Sequence, residues 1–238
     1  ADAMISDWDS SIELTADRKT KTVRLGLNLI KGLSKVGAIK LIACREKKQF
    51  SSKEEFLSLA QLSMKDMQSL AEADALSFPQ SDRRSAIWMV TGIQKINSIF
   101  KNLTEKENNV ELKKLTEGEN IIADYNSIGL TLRSHPLQLI RPQLTEMGII
   151  CTNQIDYHIK CKTICTSGIV INRQKPASGK GVLFMTIEDE TGFANVIVWP
   201  KVAKKYRNPL LLSSLITITG YVQKQDGVIN LIASRIED

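Results

Sequence analysis

Histidine is nearly absent from this chain, with two in 238 residues. No serine or cysteine elbow accompanies them, which excludes a nucleophilic triad. His135, directly before Pro136, reads as a helix-start residue rather than a general base. Cysteine is also scarce, at four residues with no paired framework, so a reduced cytoplasmic protein is expected. Cys151, His158, Cys161 and Cys165 fall within fifteen residues, but the spacing C-x6-H-x2-C-x3-C lacks the C-x2-C knuckles of compact zinc sites, and no metal is assigned to them. Aromatic residues make up only 5%. No uncharged apolar run approaches the roughly 18–20 residues of a membrane span. The acidic N-terminus lacks an apolar signal region. Missing too are a glycine-rich phosphate loop and paired carboxylates placed to hold two metal ions, so no catalytic residue and no cofactor is assigned.

What is present is charge, unevenly spread. The formal net charge is +6. Residues 18–53 carry eleven Lys/Arg against the single acid Glu46, and residues 160–238 carry eleven against six acids, so the remaining sequence is net acidic. Two basic blocks separated by acidic sequence point to two contact surfaces for a polyanion, although solvated helix faces would give a similar pattern.

Three zones follow from periodicity. Residues 1–100 read as helical. Leu25, Leu29, Ile30, Leu33 and Val36 fall at helical spacing, and Ile39, Ile42 and Ala43 continue it after a break at Gly37. Ser51-Ser52-Lys53-Glu54 resembles a capping box before Phe56, Leu57 and Leu59, while Ser63 and Asp82 are candidate caps of later helices, the last running to Ile99. Residues 101–159 read as a polar linker and connecting helices. One of these opens at His135-Pro136, is expected to bury Leu137, Leu139, Ile140 and Leu144, and ends at Gly148. Residues 160–238 change period. Short β-rich runs are bounded by Gly, Pro, Asn and Asp, with Asp226-Gly227 as a hairpin signal and a helix candidate at residues 201–206. Five strands with a helix between the third and fourth give the OB layout. The fold class is therefore α+β: an N-terminal all-α helix-hairpin-helix region, then a C-terminal five-stranded OB-fold β-barrel.

Two constellations carry candidate chemistry. In IKGLSKVGAIKLI, Gly32-Leu33-Ser34 lies between helical runs. A tight glycine turn whose N–H groups meet a helix N-terminus makes a phosphate site, and Lys31, Lys35 and Lys40 would add charge to Gly32, Leu33 and Ser34 there. Ser34 stands where the second glycine of such hairpins is usual, and a plain helical hairpin remains the alternative. Ala73-Asp74-Ala75-Leu76 is a poorer version, read as packing. In the barrel segment, Arg173, Lys175 and Lys180 fall on the first inter-strand loop as candidate phosphate contacts. Phe184 and Trp199 are candidate base-stacking residues, with core placement left open for both. Lys201, Lys204 and Lys205 form a candidate basic rim. Glu188-Asp189-Glu190-Thr191-Gly192 reads as a solvated turn.

The string GIVINRQKPASGKGVLFMTIEDETGFANVIVWPKV resembles the OB-fold of the damage-inducible, error-prone branch of bacterial C-family DNA polymerases, relatives of the polymerase III α subunit. ADYNSIGLTLRSHPLQLIRPQL, VRLGLNLIKGLSKVGAIKLIACR, FSSKEEFL and DRRSAIWMVTGI resemble the segments that precede it in that family. The resemblance implies a role in translesion synthesis during DNA repair, replication and the SOS response. It implies DNA as partner, both single-stranded template and duplex. Sliding-clamp or other mutagenesis proteins are further implied partners, and Gln94 to Phe100 faintly resembles a clamp-binding peptide, although a helix end is the better reading. Mg²⁺ is implied for the full-length family, whose catalytic palm nothing here resembles, so inactivity of this chain alone is expected. A stand-alone OB-fold that binds RNA or tRNA is the alternative.

Overall fold

The computed structural model describes residues 1–14, 20–47, 62–76, 82–93, 112–159, 163–225 and 227–238. The chain divides into two compact units, residues 1–133 and 134–238. No helix among the described residues is long and apolar enough to cross a membrane. The candidate box at Ser51, the clamp-like segment 94–100, Cys161 and Asp226 lie outside the described residues.

The first unit is helical, with one two-stranded antiparallel sheet, β1 (Ser11–Leu14) and β2 (Lys21–Arg24), that helical periodicity did not suggest. The pair is closed by Glu13, whose carboxylate accepts from Arg24 Nε and Nη2, both at 2.7 Å. Among the described residues four α-helices follow: α1 (Lys35–Lys47), α2 (Met64–Glu72), α3 (Arg83–Ile93) and α4 (Glu117–Ser127). Ser63 caps α2, accepting from the Asp66 N–H at 3.1 Å, and Asp82 accepts from the Ser85 N–H at 2.8 Å at the start of α3, as the sequence suggested. Thr116 and Glu119 form a capping box on α4. The core gathers Leu27, Leu41, Leu70 and Val90.

The helical run expected before the Gly32 turn is instead a single 3-10 turn at Leu27–Leu29, and α1 begins after the turn at Lys35. Nor does Gly37 break a helix. It sits inside α1, and a Cβ there would lie 2.6 Å from Asp66 Oδ2. This glycine admits a neighbouring helix rather than ending its own. Val36 and Ile39 accordingly face outward.

The second unit opens with α5 (Pro136–Glu146), capped by His135 Nδ1, which accepts from the Leu137 N–H at 3.2 Å. Of its four expected core residues only Leu137 is fully buried; Leu144 is half-buried, and Leu139 and Ile140 are exposed. A 3-10 helix, Thr152–His158, leads to the barrel. Its strands are β3 (Ile164–Gln174), β4 (Leu183–Asp189), β5 (Gly192–Val198), β6 (Leu215–Gln225) and β7 (Val228–Glu237). They close in the order β3-β4-β5-β7-β6, with β5 and β7 parallel and the other pairs antiparallel. Helices α6 (Pro200–Lys205) and α7 (Arg207–Leu212) fill the connection between β5 and β6. Leu183, Met185, Ile187, Val196, Val198, Ile216, Ile218 and Leu231 alternate into the interior, the period-two pattern of a half-buried strand.

Candidate nucleic-acid interface

Register decides which residues share the barrel's outer face. A bulge in β3 between Val170 and Asn172 flips its parity: Val170 pairs with interior Ile187, yet Asn172 pairs with outward Thr186. From there two rows cross the barrel. The first is Gln174, Phe184, Ile197, Ile232 and Tyr221, each the register partner of the next through β3, β4, β5, β7 and β6. The second, one pleat along, is Asn172, Thr186, Asn195, Asn230 and Gln223. Beyond Gln174 the first row is apolar and aromatic, with Phe184 42% and Tyr221 48% exposed on either side of buried Ile232. The second is made of amides and one hydroxyl. Trp199, two residues beyond Ile197 and 51% exposed, extends the aromatic edge.

The same bulge relocates Arg173. Expected on the loop, it pairs with interior Met185 at the end of β3, and its guanidinium folds onto the last turn of α7. Nε donates to the Leu210 carbonyl at 2.7 Å, and Nη2 donates to the Ser213 carbonyl. These carbonyls belong to the helix end that lacks intrahelical partners. Arg173→Ala is therefore expected to lower stability by about 2–3 kcal/mol, the scale of charge-assisted hydrogen bonds, while leaving the salt dependence of nucleic-acid binding unchanged. Urea unfolding and a salt titration of the same variant check both halves.

Lys175 and Lys180 stand exposed on the 175–182 loop, and the Gly181 backbone approaches Pro200, at the Trp199 end of the face. Lys201, Lys204 and Lys205 are exposed on or beside α6, with Lys205 Nζ 5.0 Å from the Tyr206 ring centre. Basic and aromatic groups thus share one end of the outer face.

The Glu188-Asp189-Glu190 turn is not solvated at its centre. Asp189 is 3% exposed. Its carboxylate accepts from the Thr152 N–H (2.8 Å) and hydroxyl (2.7 Å), the Thr191 N–H (2.8 Å) and hydroxyl (2.7 Å), the Gly192 N–H (3.2 Å) and Arg141 Nη2 (3.3 Å). Arg141 of α5 also grips Glu190, with Nη2 to Oε2 at 3.0 Å. Burial pushes the Asp189 carboxyl up, but the donors of Thr152 and Thr191 outweigh it and hold it below its ordinary value. Asp189 and Glu190 are thus bonded internally, while Glu188 stays exposed. Asp-x-Thr-Gly is itself a turn signature, since the Asp side chain bonds backbone N–H groups two and three residues on. The Cys151, Asp189 and Glu190 ligand atoms lie within 4.8 Å of one another, but both carboxylates are already bonded to Arg141, which leaves little for a cation.

In the first unit an internal acid meets the hairpin residues. Gly32 has φ +87° and makes the tight turn. The Ser34 N–H, aimed where a phosphate was expected, donates to Asp66 Oδ1 at 2.7 Å, and its hydroxyl donates to Asp66 Oδ2 at 3.1 Å. The Ser63 hydroxyl adds a third bond at 2.7 Å. Burial raises the Asp66 carboxyl, but the Ser34 and Ser63 donors bring it below the ordinary value. Leu33 is buried, and Lys31 Nζ donates to the Tyr125 carbonyl at 2.9 Å. Lys35 lies 6.0 Å over the Trp8 ring, and Lys40 lines a crevice beside Ser34.

Fold and site together define a nucleic-acid-binding pair of modules. Residues 1–86 match the helix-hairpin-helix motif family, and residues 164–238 match the OB-fold nucleic acid binding domain family. Over its whole length the chain is homologous to the C-terminal region of error-prone DNA polymerases. It is 38% identical over 237 residues to the error-prone DNA polymerase of Alkalilimnicola ehrlichii and 38% identical over 238 residues to that of Dechloromonas aromatica, covering 100% of this chain and 23% of each relative. It is 34% identical over 245 residues to error-prone DNA polymerase 2 of Rhizobium meliloti, covering 98% of this chain and 22% of that protein. The chain thus spans less than a quarter of the length of these relatives.

Proposed function

We propose that this chain is a DNA-holding module for error-prone synthesis in the cytoplasm, and that the barrel's outer face carries the single-stranded template. The single observation that supports this most is the register row Phe184–Ile197–Ile232–Tyr221, which sets two half-exposed aromatic rings on the outer surface of the closed barrel, on β4 and β6, beside a row of amides. Bases stack on such rings regardless of sequence, and the amides offer both donors and acceptors to base edges. Lys175, Lys180 and the α6 lysines would meet phosphates at the Trp199 end. The activity named for the relatives supports DNA over RNA as the ligand. Damage tolerance, with its repair setting, is the reading of their error-prone character.

The helical unit supplies backbone contact through Lys35 and Lys40. Ser34 contributes less than its position suggests, because Asp66 already occupies its N–H.

The test is a charge reversal. Lys175→Glu with Lys180→Glu is expected to weaken single-strand binding most at low salt. It should also flatten the slope of log affinity against log salt by roughly 0.7 for each phosphate that the loop no longer neutralises. An unchanged slope would remove this loop from the interface. Competition between single-stranded DNA and tRNA decides between template holding and RNA binding.

A further inference from the structure

At the end of the outer face opposite the 175–182 loop and the α6 lysines, with exposed Lys224 pairing to its lining residue Ile229, lies a cavity of about 290 Å³ between the Thr152–His158 helix and strands β5 and β7. Its lining residues include Phe193, Asn153, Asn195, Asp156 and the apolar Ile229. Among the described residues, no Lys, Arg or His lines it. Asn195 belongs to the amide row, so cavity and face are continuous. Its walls are fixed, because Thr152 at the start of the helix is latched to Asp189 and Thr191 on the β4–β5 turn.

We propose that this cavity receives one nucleobase from a strand lying on the barrel, and that it takes bases with an exocyclic amine, namely cytosine, adenine or guanine, over thymine or uracil. The proposal rests on the reading of the outer face as a single-strand surface. An exposed aromatic ring offers a stacking wall. The size sits at the lower edge of the roughly 300–1,000 Å³ of small-molecule sites, fitting a base rather than a longer segment. Without a basic residue and with a carboxylate present, the lining disfavours a phosphate. The Asp156 carboxylate has no hydrogen-bond or ionic partner among the described residues, nor do the side-chain amides of Asn153 and Asn195. An ionised carboxylate only accepts, so it pairs with the N4 amine of cytosine, the N6 amine of adenine or the N2 amine of guanine, and repels the O4 carbonyl that thymine carries where cytosine has its amine.

Nucleosides, which carry no phosphate, isolate this site from the basic end. The measurement is a titration of the nitrogen-15-labelled full chain with cytidine, adenosine and thymidine, following the side-chain amides of Asn153 and Asn195. The expected result is saturable shifts with cytidine and adenosine, and an affinity for thymidine lower by at least about fivefold, the small end of what one base-edge contact supplies. Phe193→Ala should abolish the shifts, and Asp156→Ala should erase the preference for amine-bearing bases. Equal binding of thymidine, or an unchanged preference in Asp156→Ala, overturns the proposal. An oligothymidylate strand added to the same sample separates the two readings. If it perturbs Phe184 and Tyr221 while nucleosides leave the cavity amides unmoved, the cavity proposal fails and the strand-binding face stands. If neither ligand has any effect, both fail.

Discussion

Phe184→Ala combined with Tyr221→Ala is expected to reduce single-strand affinity by about 2–6 kcal/mol, since stacking contributes roughly 1–3 kcal/mol per base. That is a loss of at least about thirtyfold. It should persist at every salt concentration, because it removes contact with bases rather than with phosphates. The two residues sit on strands adjacent to the two flanks of the β5–β7 pair, and buried Ile232 lies between them in the row. Their side chains are therefore placed by the sheet and not by a loop. Each is close to half exposed, so truncation leaves the interior cluster of the barrel intact. Fluorescence anisotropy with a labelled oligonucleotide measures the loss, and circular dichroism confirms that the variant is folded. An affinity within a factor of two of the parent would mean the rings are surface residues without a ligand.

Asp189→Ala is expected to cost about 3–5 kcal/mol of stability in the second unit, the scale for removing one partner from a buried, bonded charge. Three backbone N–H groups, two hydroxyls and Arg141 all converge on this carboxylate. Most proteins have only about 5–15 kcal/mol in total. The pH dependence has a definite sign. The folded-state carboxyl lies below its ordinary value, so its contribution is present above the unfolded value and is lost as pH falls toward the folded one. The unfolding midpoint should therefore drop on acidification through and below the ordinary carboxylate range, and less steeply in Asp189→Ala. Denaturant unfolding at a series of pH values checks it. A midpoint equal to the parent's at neutral pH would show that Thr152 and Thr191 find other acceptors at no cost.

The barrel was legible because its evidence is local. Short β-rich runs such as Leu183 to Ile187 are bounded by turn residues, and the helix after Trp199 interrupts them. The first unit was less so. Residues 25–36 have helical spacing, yet Gly32 takes a positive φ and only residues from Lys35 onward form a helix. The candidate site was half legible. Phe184, Trp199 and the loop lysines were named as candidates from residue type and position, and all stand exposed. Tyr221 and the amides of Asn172, Asn195, Asn230 and Gln223 were missed, because their alignment depends on pairing between strands far apart in sequence. A single slipped residue would send each to the opposite face. The β3 bulge is such a slip, and it explains why Arg173 leaves the loop for the α7 carbonyls. Asp189 and Asp66 were misplaced or unseen for a related reason. A carboxylate's surroundings are set by distant partners, Thr152 and Arg141 for one and Ser34 for the other. One local clue existed, the Asp-x-Thr-Gly turn, which binds its own backbone.

The central claim is that the outer face of the barrel holds a single strand by both charge and stacking. Its most direct test is a salt titration of the full chain against a fluorescent single-stranded oligonucleotide, run in parallel with Phe184→Ala/Tyr221→Ala. The account predicts parallel lines on a plot of log affinity against log salt: both fall with the same slope, and the variant lies below by at least about thirtyfold throughout. If the folded parent has no single-strand affinity at low salt, or if the two lines coincide, the face does not hold the template.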